Sequence, residues 1–509
     1  MQLLGRQRVD EAVQACLAFA QSNPDSIDAV LLLGKARQMQ GRFEDMLTLS
    51  ETALRRNPRD PDLQLQFVEA AQFCGRHDRA LEQLAQAERS ARNHAGLLQR
   101  VAKLYVKAGK YEGAHRCYLR AAELDGNNPH YLHNLASSFI FMGDLTQAEH
   151  TYAKVISLAP DHYDAWHNRS TLRKQTADSN HIRELEQALN SLAPGHAGET
   201  PLCYALAKEY EDLSEYELAF SWLQRGAGVQ RRRLAYDVRT DVSMMQRIAE
   251  LFDRAYADTV GVAPVRPGPI FVLGLPRSGT TLVDRIISSH SKAESAGEID
   301  DFAMAMTRLC WSLDKRQLLE ASVRVDPDQL GQSYLRSVAS YGLNKPCFID
   351  KTPINYLYIG LIAKALPGAA IVHLRRHPVD SCLAMYRTLF QAGYPFSYDL
   401  ADLAEYYIAY DALMRHWQSL FPGAVLDVAY EELVDSPERL SRKIIAHCGL
   451  DWEPACLEFD VNAAPVATAS AAQVRRPIYR DALARWRRFE NQLAPLIERL
   501  QKAGIAFPA

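Results

Sequence analysis

Four glycines, Gly41, Gly75, Gly109 and Gly143, stand 34 residues apart. The columns around them agree. Five residues after each come Met46, Ala80, Ala114 and Ala148, and seven further on Ala53, Ala87, Ala121 and Val155. Seven before each sit Gly34, Val68, Ala102 and Ala136. Small residues at fixed spacing let helices cross closely, and a glycine between them supplies a left-handed turn. A chain with this period is committed to stacked helical pairs, because one pair cannot bury its apolar face alone.

This is the tetratricopeptide pattern. Pro24, Pro58 and Pro160 share one phase, and Ala12 keeps the register, so the first residues read as the second helix of a pair. After Trp166 the pattern degrades, and residues 202–233 read as a divergent helical pair. Such arrays hold a peptide or protein in their groove, or brace a neighbouring domain, and the sequence leaves both open.

The chain has 509 residues, 58 basic and 61 acidic, for a net charge of −3. That balance gives no general attraction to nucleic acid or anionic membrane, so any basic site must be local. Arg6, Arg8, Asp10 and Glu11 fall where a signal peptide needs an apolar core, and no run of about 18 apolar residues follows. The nine cysteines are scattered, without a close C-x-x-C pair, and read as reduced core thiols. A cytoplasmic protein without a membrane span is expected.

"DTVGVAPVRPG" (258–268) is a Pro/Gly linker between a helical domain, 1–257, and a second domain, 269–509. In the second domain "PIFVLGL" (269–275), "CFID" (347–350), "AAIVHLR" (369–375) and "AVLDVAY" (424–430) read as buried strands separated by helices. That alternation predicts a parallel sheet with ligands at the carboxyl ends of its strands. Aromatics at helical spacing in "EYYIAYDALMRHW" (405–417) are expected to pack on that sheet.

"LGLPRSGTTL" carries G-x-x-x-x-G-T-T from Gly274 to Thr281, after a strand and before a helix. The context is that of a phosphate loop, where backbone N–H groups and the helix N-terminus cradle an anion. The lysine of a nucleoside triphosphatase is replaced by Thr280, and Arg277 lies inside the loop instead. Mg²⁺-dependent triphosphate hydrolysis is therefore disfavoured.

"PRSGTTL", "AGEID", "DKTP", "RRHPVD", "YEELV" and "QVRRPIY" together resemble the bacterial tetratricopeptide-repeat sulfotransferases, relatives of the protein-tyrosine sulfotransferases. The resemblance covers essentially the whole chain. It implies an α-helical tetratricopeptide solenoid followed by an α/β, P-loop-like sulfotransferase domain with a parallel sheet. It implies 3′-phosphoadenosine-5′-phosphosulfate as co-substrate, no metal, and a hydroxyl acceptor such as a protein tyrosine, presented on a peptide in the repeat groove.

The resemblance also implies the site. Ser278, Gly279, Thr280, Thr281 and Leu282 contact the 5′-phosphate, and Arg277 offers a planar fork to the phosphate or the transferring sulfonate. Glu298 in "AGEID" matches the catalytic base, although a helix-start carboxylate is the plainer reading of such a glutamate, and Asp300 and Asp301 read as helix-start charges. Lys351 matches the lysine that stabilises the departing 5′-phosphate; a solvated lysine after a strand is its plainer reading. Arg376 takes the position of the 3′-phosphate arginine. Eight residues on, where the family has serine, this chain has Ala384, and losing a hydroxyl to a charged group costs about 1.5–3 kcal/mol. Tyr430 matches an aromatic beside the adenine, and Arg476, then Arg475, the C-terminal loop over the nucleotide. Arg485, Arg487 and Arg488 read as a basic helix face. A glycan or small-molecule acceptor, or a non-catalytic repeat scaffold with a degenerate nucleotide site, remain the alternatives.

Overall fold

A computed structural model describes residues 9–23, 26–261, 266–310, 314–390, 393–459 and 483–507. The chain forms two compact units. One comprises Met1–Gly126, Ala296–Lys345 and Leu361–Pro367; the other Asn127–Ser295, Pro346–Gly360 and Gly368–Ala509. Each draws residues from both sides of the 258–268 linker.

The first unit contains the helical pairs Ile27–Met39 with Phe43–Arg56, Pro61–Phe73 with His77–Ser90, and Ala95–Lys107 with Tyr111–Leu124. Pro129–Met142 with Leu145–Leu158 follows in the second unit. The repeat glycines do what their spacing requires. Gly41, Gly75, Gly109 and Gly143 have φ of 72°, 67°, 68° and 86°. After each, the next N–H reaches back five residues, from Arg42 to Arg37, Arg76 to Ala71, Lys110 to Tyr105 and Asp144 to Phe139, at 2.8–3.0 Å. These bonds satisfy carbonyls at the helix end. The column residues Val68, Ala102, Ala136, Ala80, Ala114 and Ala148 are all buried. The divergent pair is Glu199–Asp212 and Tyr216–Arg233. It keeps the same closure, Glu215 N–H to Tyr210 O at 2.9 Å, with Ser214 at φ 66° in place of glycine. A serine there, out of the 34-residue phase, explains why the pattern fades in the sequence.

A five-stranded sheet, in the second unit except for the last two residues of β2, has the order β2-β3-β1-β4-β5. The strands are β1 Pro269–Gly274, β2 Ala293–Gly297, β3 Cys347–Asp350, β4 Ala370–Arg375 and β5 Val425–Ala429. β1 pairs in parallel with β3 and β4, and β4 with β5. Four strands lie where the apolar runs place them. β2, "AESAG", lacks such a run and was not anticipated.

One face of the sheet, with Ile270, Val272, Ile349, Val372 and Leu374, packs on Val283, Ile286 and Ile287 and on Leu440, Ile444 and Ile445. The helix Leu400–Leu420 supplies the other cover. Its Tyr406, Tyr407, Tyr410 and Trp417 are buried, and Trp417 Nε1 donates to Tyr356 O at 2.9 Å. The nine cysteines are unpaired and seven of them are buried, so no disulfide frame supports the fold. No described helix is long and apolar enough to cross a membrane.

Candidate active site

β1 is central, flanked by β3 and β4, so the loop at its carboxyl end opens at the crevice such a sheet offers a ligand. Two glycines shape that loop. Gly274 has φ 148°, and a Cβ there would lie 2.5 Å from Leu374 O of β4. Gly279 has φ 106°, and a Cβ there would lie 2.6 Å from the Tyr430 ring. Between them Ser278 N–H bonds Leu275 O at 3.2 Å, closing a turn with Pro276 and Arg277 at its centre. Arg277 has φ 67°, the conformation that the third residue of a type II turn requires and that glycine prefers. The helix Thr280–Ser288 starts directly after, so its first-turn N–H groups face the loop.

Ser278, Thr280 and Thr281 are buried. The Ser278 hydroxyl makes no hydrogen bond within the described residues. A buried hydroxyl of this kind beside a helix N-terminus fits a phosphate oxygen. Leu282 packs against the sheet core, and its N–H bonds Gly279 O at 3.0 Å.

Two further residues touch the loop within the same unit, and Lys351 leaves the neighbouring strand. Arg376, just beyond β4, donates from Nη1 to Arg277 O at 3.2 Å, with its guanidinium carbon 5.1 Å from the Tyr430 ring centre. Tyr430 opens a short helix after β5 and lies against Gly279. Arg376, Tyr430 and the loop thus form one contiguous wall. Lys351 leaves β3, whose Asp350 is level with Phe271 of β1. Its side chain is 1% exposed, which excludes the solvated-lysine reading. A buried ammonium is tolerated only among polar or anionic groups. Asp350 Oδ1 accepts from Thr352 N–H at 3.1 Å, fixing the "DKTP" turn.

Ala384 lies on the helix Pro378–Tyr386, where its carbonyl accepts from Thr388 Oγ1 at 2.8 Å. Arg475 and Arg476 fall outside the described residues. Arg487 and Arg488 are exposed on a helix, as read from the sequence, whereas Arg485 turns to an acidic partner. They sit in the short helix Arg485–Phe489, where Arg485 approaches Glu211 at 3.7 Å, Arg487 lies over Trp486 and Arg488 over Tyr216. Trp486 itself stacks on His377, beside Arg376, with ring centres 5.3 Å apart.

Glu298 belongs to the first unit, immediately after β2, with an exposed side chain. Tyr111 of a repeat helix lies in that unit too; burial, then the Glu298 charge, raises its phenol above the usual range. Asp301 does begin a helix, Asp301–Cys310, but it is more than a helix-start charge. It is buried, with Oδ1 2.9 Å from His77 Nε2 and Oδ2 accepting from Tyr341 Oη at 2.9 Å. Ser337 Oγ also donates to it. Burial raises its carboxyl pKa, but the His77 hydrogen bond and charge, with Ser337 and Tyr341, hold it below the ordinary range. No short-range signal announced this partnership, because His77 and Asp301 lie 224 residues apart.

The comparisons agree with this architecture. Residues 269–454 match the sulfotransferase family, and residues 129–162 match a tetratricopeptide repeat. The chain carries a sulfotransferase-family domain together with tetratricopeptide repeats. It is 28% identical to an uncharacterized protein of Aquifex aeolicus over 98% of this chain and 73% of that one. It is 25% identical to protein-tyrosine sulfotransferase 1 of Danio rerio over 45% of this chain and 71% of the relative. The protein-tyrosine sulfotransferase of Drosophila melanogaster is 24% identical over 43% of this chain and 46% of its own length.

Proposed function

We propose that this protein transfers a sulfuryl group from 3′-phosphoadenosine-5′-phosphosulfate to an acceptor hydroxyl, that of a protein tyrosine first among candidates. The observation that carries the reading is the loop Leu275–Thr281. It keeps the backbone and helix-terminus cradle of a phosphate site but places an arginine, in a left-handed turn, where triphosphatases depend on a lysine further on. A phosphosulfate carries less charge than a bare triphosphate, so the electrostatics do not require a metal, and a fork of N–H donors suits its tetrahedral oxygens.

In this reading Ser278 to Leu282 hold the 5′-phosphate and Arg277 meets its oxygens or the sulfonate in transfer. Arg376 serves the 3′-phosphate and Tyr430 the adenine, with Arg476 over the nucleotide. The S–O bond to the acceptor forms as the bond to the 5′-phosphate breaks, and catalysis is mostly positioning and cationic stabilisation. Lys351 stabilises the departing phosphate. Glu298 takes the acceptor proton; a phenol of pKa about 10 needs such a base at neutral pH. The repeats present the acceptor peptide. The similarity to protein-tyrosine sulfotransferases supports the tyrosine acceptor over a sugar.

Mass spectrometry for a sulfate mass gain on tyrosine peptides, simple phenols and sugars tests this. Arg277→Ala and Glu298→Ala are each expected to lower turnover about 100-fold or more. Undiminished activity in both variants would overturn the site assignment, and sulfation of sugars alone would overturn the peptide acceptor.

A further inference from the structure

We propose that Asp301 is a positioning residue for Glu298, and that the repeats hold it in that role through His77. The repeat helix His77–Ser90 is then part of the catalytic apparatus and not only a grip for the acceptor. The inference rests on the reading of Glu298 as the base.

Glu298 belongs to no helix or strand. β2 ends at Gly297, with φ 81°, and the helix Asp301–Cys310 follows. Only Glu298, Ile299 and Asp300 lie between them. Ile299 is buried, Glu298 is exposed, and Asp300 O accepts from Met304 N–H at 2.8 Å as the helix begins. An exposed side chain on so short a link takes its place from the two ends of the link. A base must lie within hydrogen-bond reach of the proton it takes, and a misplacement of about 1 Å can cost about 100-fold.

The sheet holds one end, because β2 lies beside β3. Asp301 holds the other. A carboxylate only accepts, and this one accepts from three donors. Oδ1 receives His77 Nε2–H at 2.9 Å and the Ser337 hydroxyl, and Oδ2 receives the Tyr341 hydroxyl at 2.9 Å. The donors are in turn fixed to one another. The His77 ring stacks on Tyr341 with centres 3.9 Å apart, and His77 N–H donates to Ser340 Oγ at 2.9 Å. Ser340 Oγ also lies 2.6 Å from Ser337 O and 3.2 Å from Gly75 O. At Gly75 a Cβ would lie 2.3 Å from Ser337 Oγ, so the repeat glycine also lets its turn approach the helix Pro327–Ala339. All of these residues belong to the first unit.

Stability alone does not call for this arrangement. A buried carboxylate loses hydration that its partners only repay, and a well-packed apolar group is often as stable. Three directed hydrogen bonds supply a single orientation instead. Here they orient the first residue of a helix, three positions after the base. Asp301 touches no proposed substrate atom; it acts through the backbone that joins it to Glu298.

A double-mutant cycle on the full chain tests this. The paired readouts are kcat for sulfuryl transfer to a tyrosine peptide or a simple phenol, and calorimetric affinity for 3′-phosphoadenosine-5′-phosphate. Asp301→Asn is expected to lower kcat about tenfold and to leave the affinity within about twofold. In a Glu298→Ala background the same change is expected to lower the residual kcat by less than about twofold, because the group it positions is gone. His77→Gln, which keeps an N–H donor for Asp301, is expected to retain about half of kcat or more, and His77→Ala to lose about fivefold. A loss of equal size in both backgrounds, an equal loss of kcat and affinity, or wild-type kcat in the folded variants overturns the positioning role. Should Asp301→Asn fail to fold, Tyr341→Phe removes one of the three donors and runs the same cycle, with an expected loss of about threefold. Wild-type protein that transfers no sulfuryl group, or Glu298→Ala with undiminished kcat, overturns the reading of the base and this inference with it. A loss in Glu298→Ala to which Asp301→Asn adds its full effect overturns this inference alone.

Discussion

Arg277 occupies a backbone conformation that costs an L-residue about 1–2 kcal/mol relative to glycine. The chain bears that cost at the one position between Gly274 and Gly279 that carries a cationic side chain. Strain retained there, braced by Arg376 on its carbonyl, is a mark of selection for the side chain rather than for the turn. Arg277→Gly is therefore expected to unfold at a slightly higher temperature than wild type, by about 1 kcal/mol of stability, while losing about tenfold in affinity for 3′-phosphoadenosine-5′-phosphate. Thermal melts and titrations on the same sample check both halves. Equal or lower stability would show the turn to be unstrained. At this scale the loop was legible, since glycine spacing and its strand-helix context are local. The contact of Tyr430 with Gly279 and the bond from Arg376 to Arg277 were not, because they join segments about 100–150 residues apart.

Among elements, the helix Asp301–Cys310 and the repeat helix His77–Ser90 meet at the buried His77–Asp301 hydrogen bond. His77 stacks on Tyr341 at 3.9 Å, Ser340 Oγ accepts from His77 N–H at 2.9 Å, and Arg308 donates to Phe73 O at 2.8 Å. The first repeats therefore brace residues 296–345, the segment that begins two residues before Glu298. His77→Ala leaves Asp301 with two of its three partners and is expected to cost about 3 kcal/mol. The Asp301 carboxyl has its folded pKa below the unfolded value of about 3.9, so its contribution is fully present above about pH 4. It is lost as pH falls through the folded value. The stability gap between wild type and Asp301→Asn should thus be large at pH 7 and shrink below about pH 4. Urea midpoints at pH 7 and pH 3 measure it, and a gap that widens in acid would refute the assignment. β2 was missed for a comparable reason: "AESAG" gains its strand from its neighbour β3 rather than from its own side chains.

For the whole molecule, the compact units divide the chain differently from its linear order. The first unit closes 1–126 around 296–345 and 361–367. Deleting residues 1–126 would uncover buried Asp301 and Ser337 and the apolar residues packed with them. The shortened chain is expected to aggregate or to expose the 296–345 segment to protease; limited proteolysis and size-exclusion chromatography check this. A monodisperse, protease-resistant product would show that the repeats are dispensable to that segment. By itself the sequence determined whatever repeats or lies close together. That covers the 34-residue helical pairs, four of five strands, and a strand-loop-helix with the glycine spacing of a phosphate loop, because periodicity and turn chemistry act over a few residues. Only the tertiary structure decided which distant groups share a proton or a charge. Asp301 with His77, Arg376 with the Arg277 carbonyl, and Asp427 with His373 and Tyr410 are examples. Buried polar groups must find partners wherever the fold brings them, and no local spacing encodes that match.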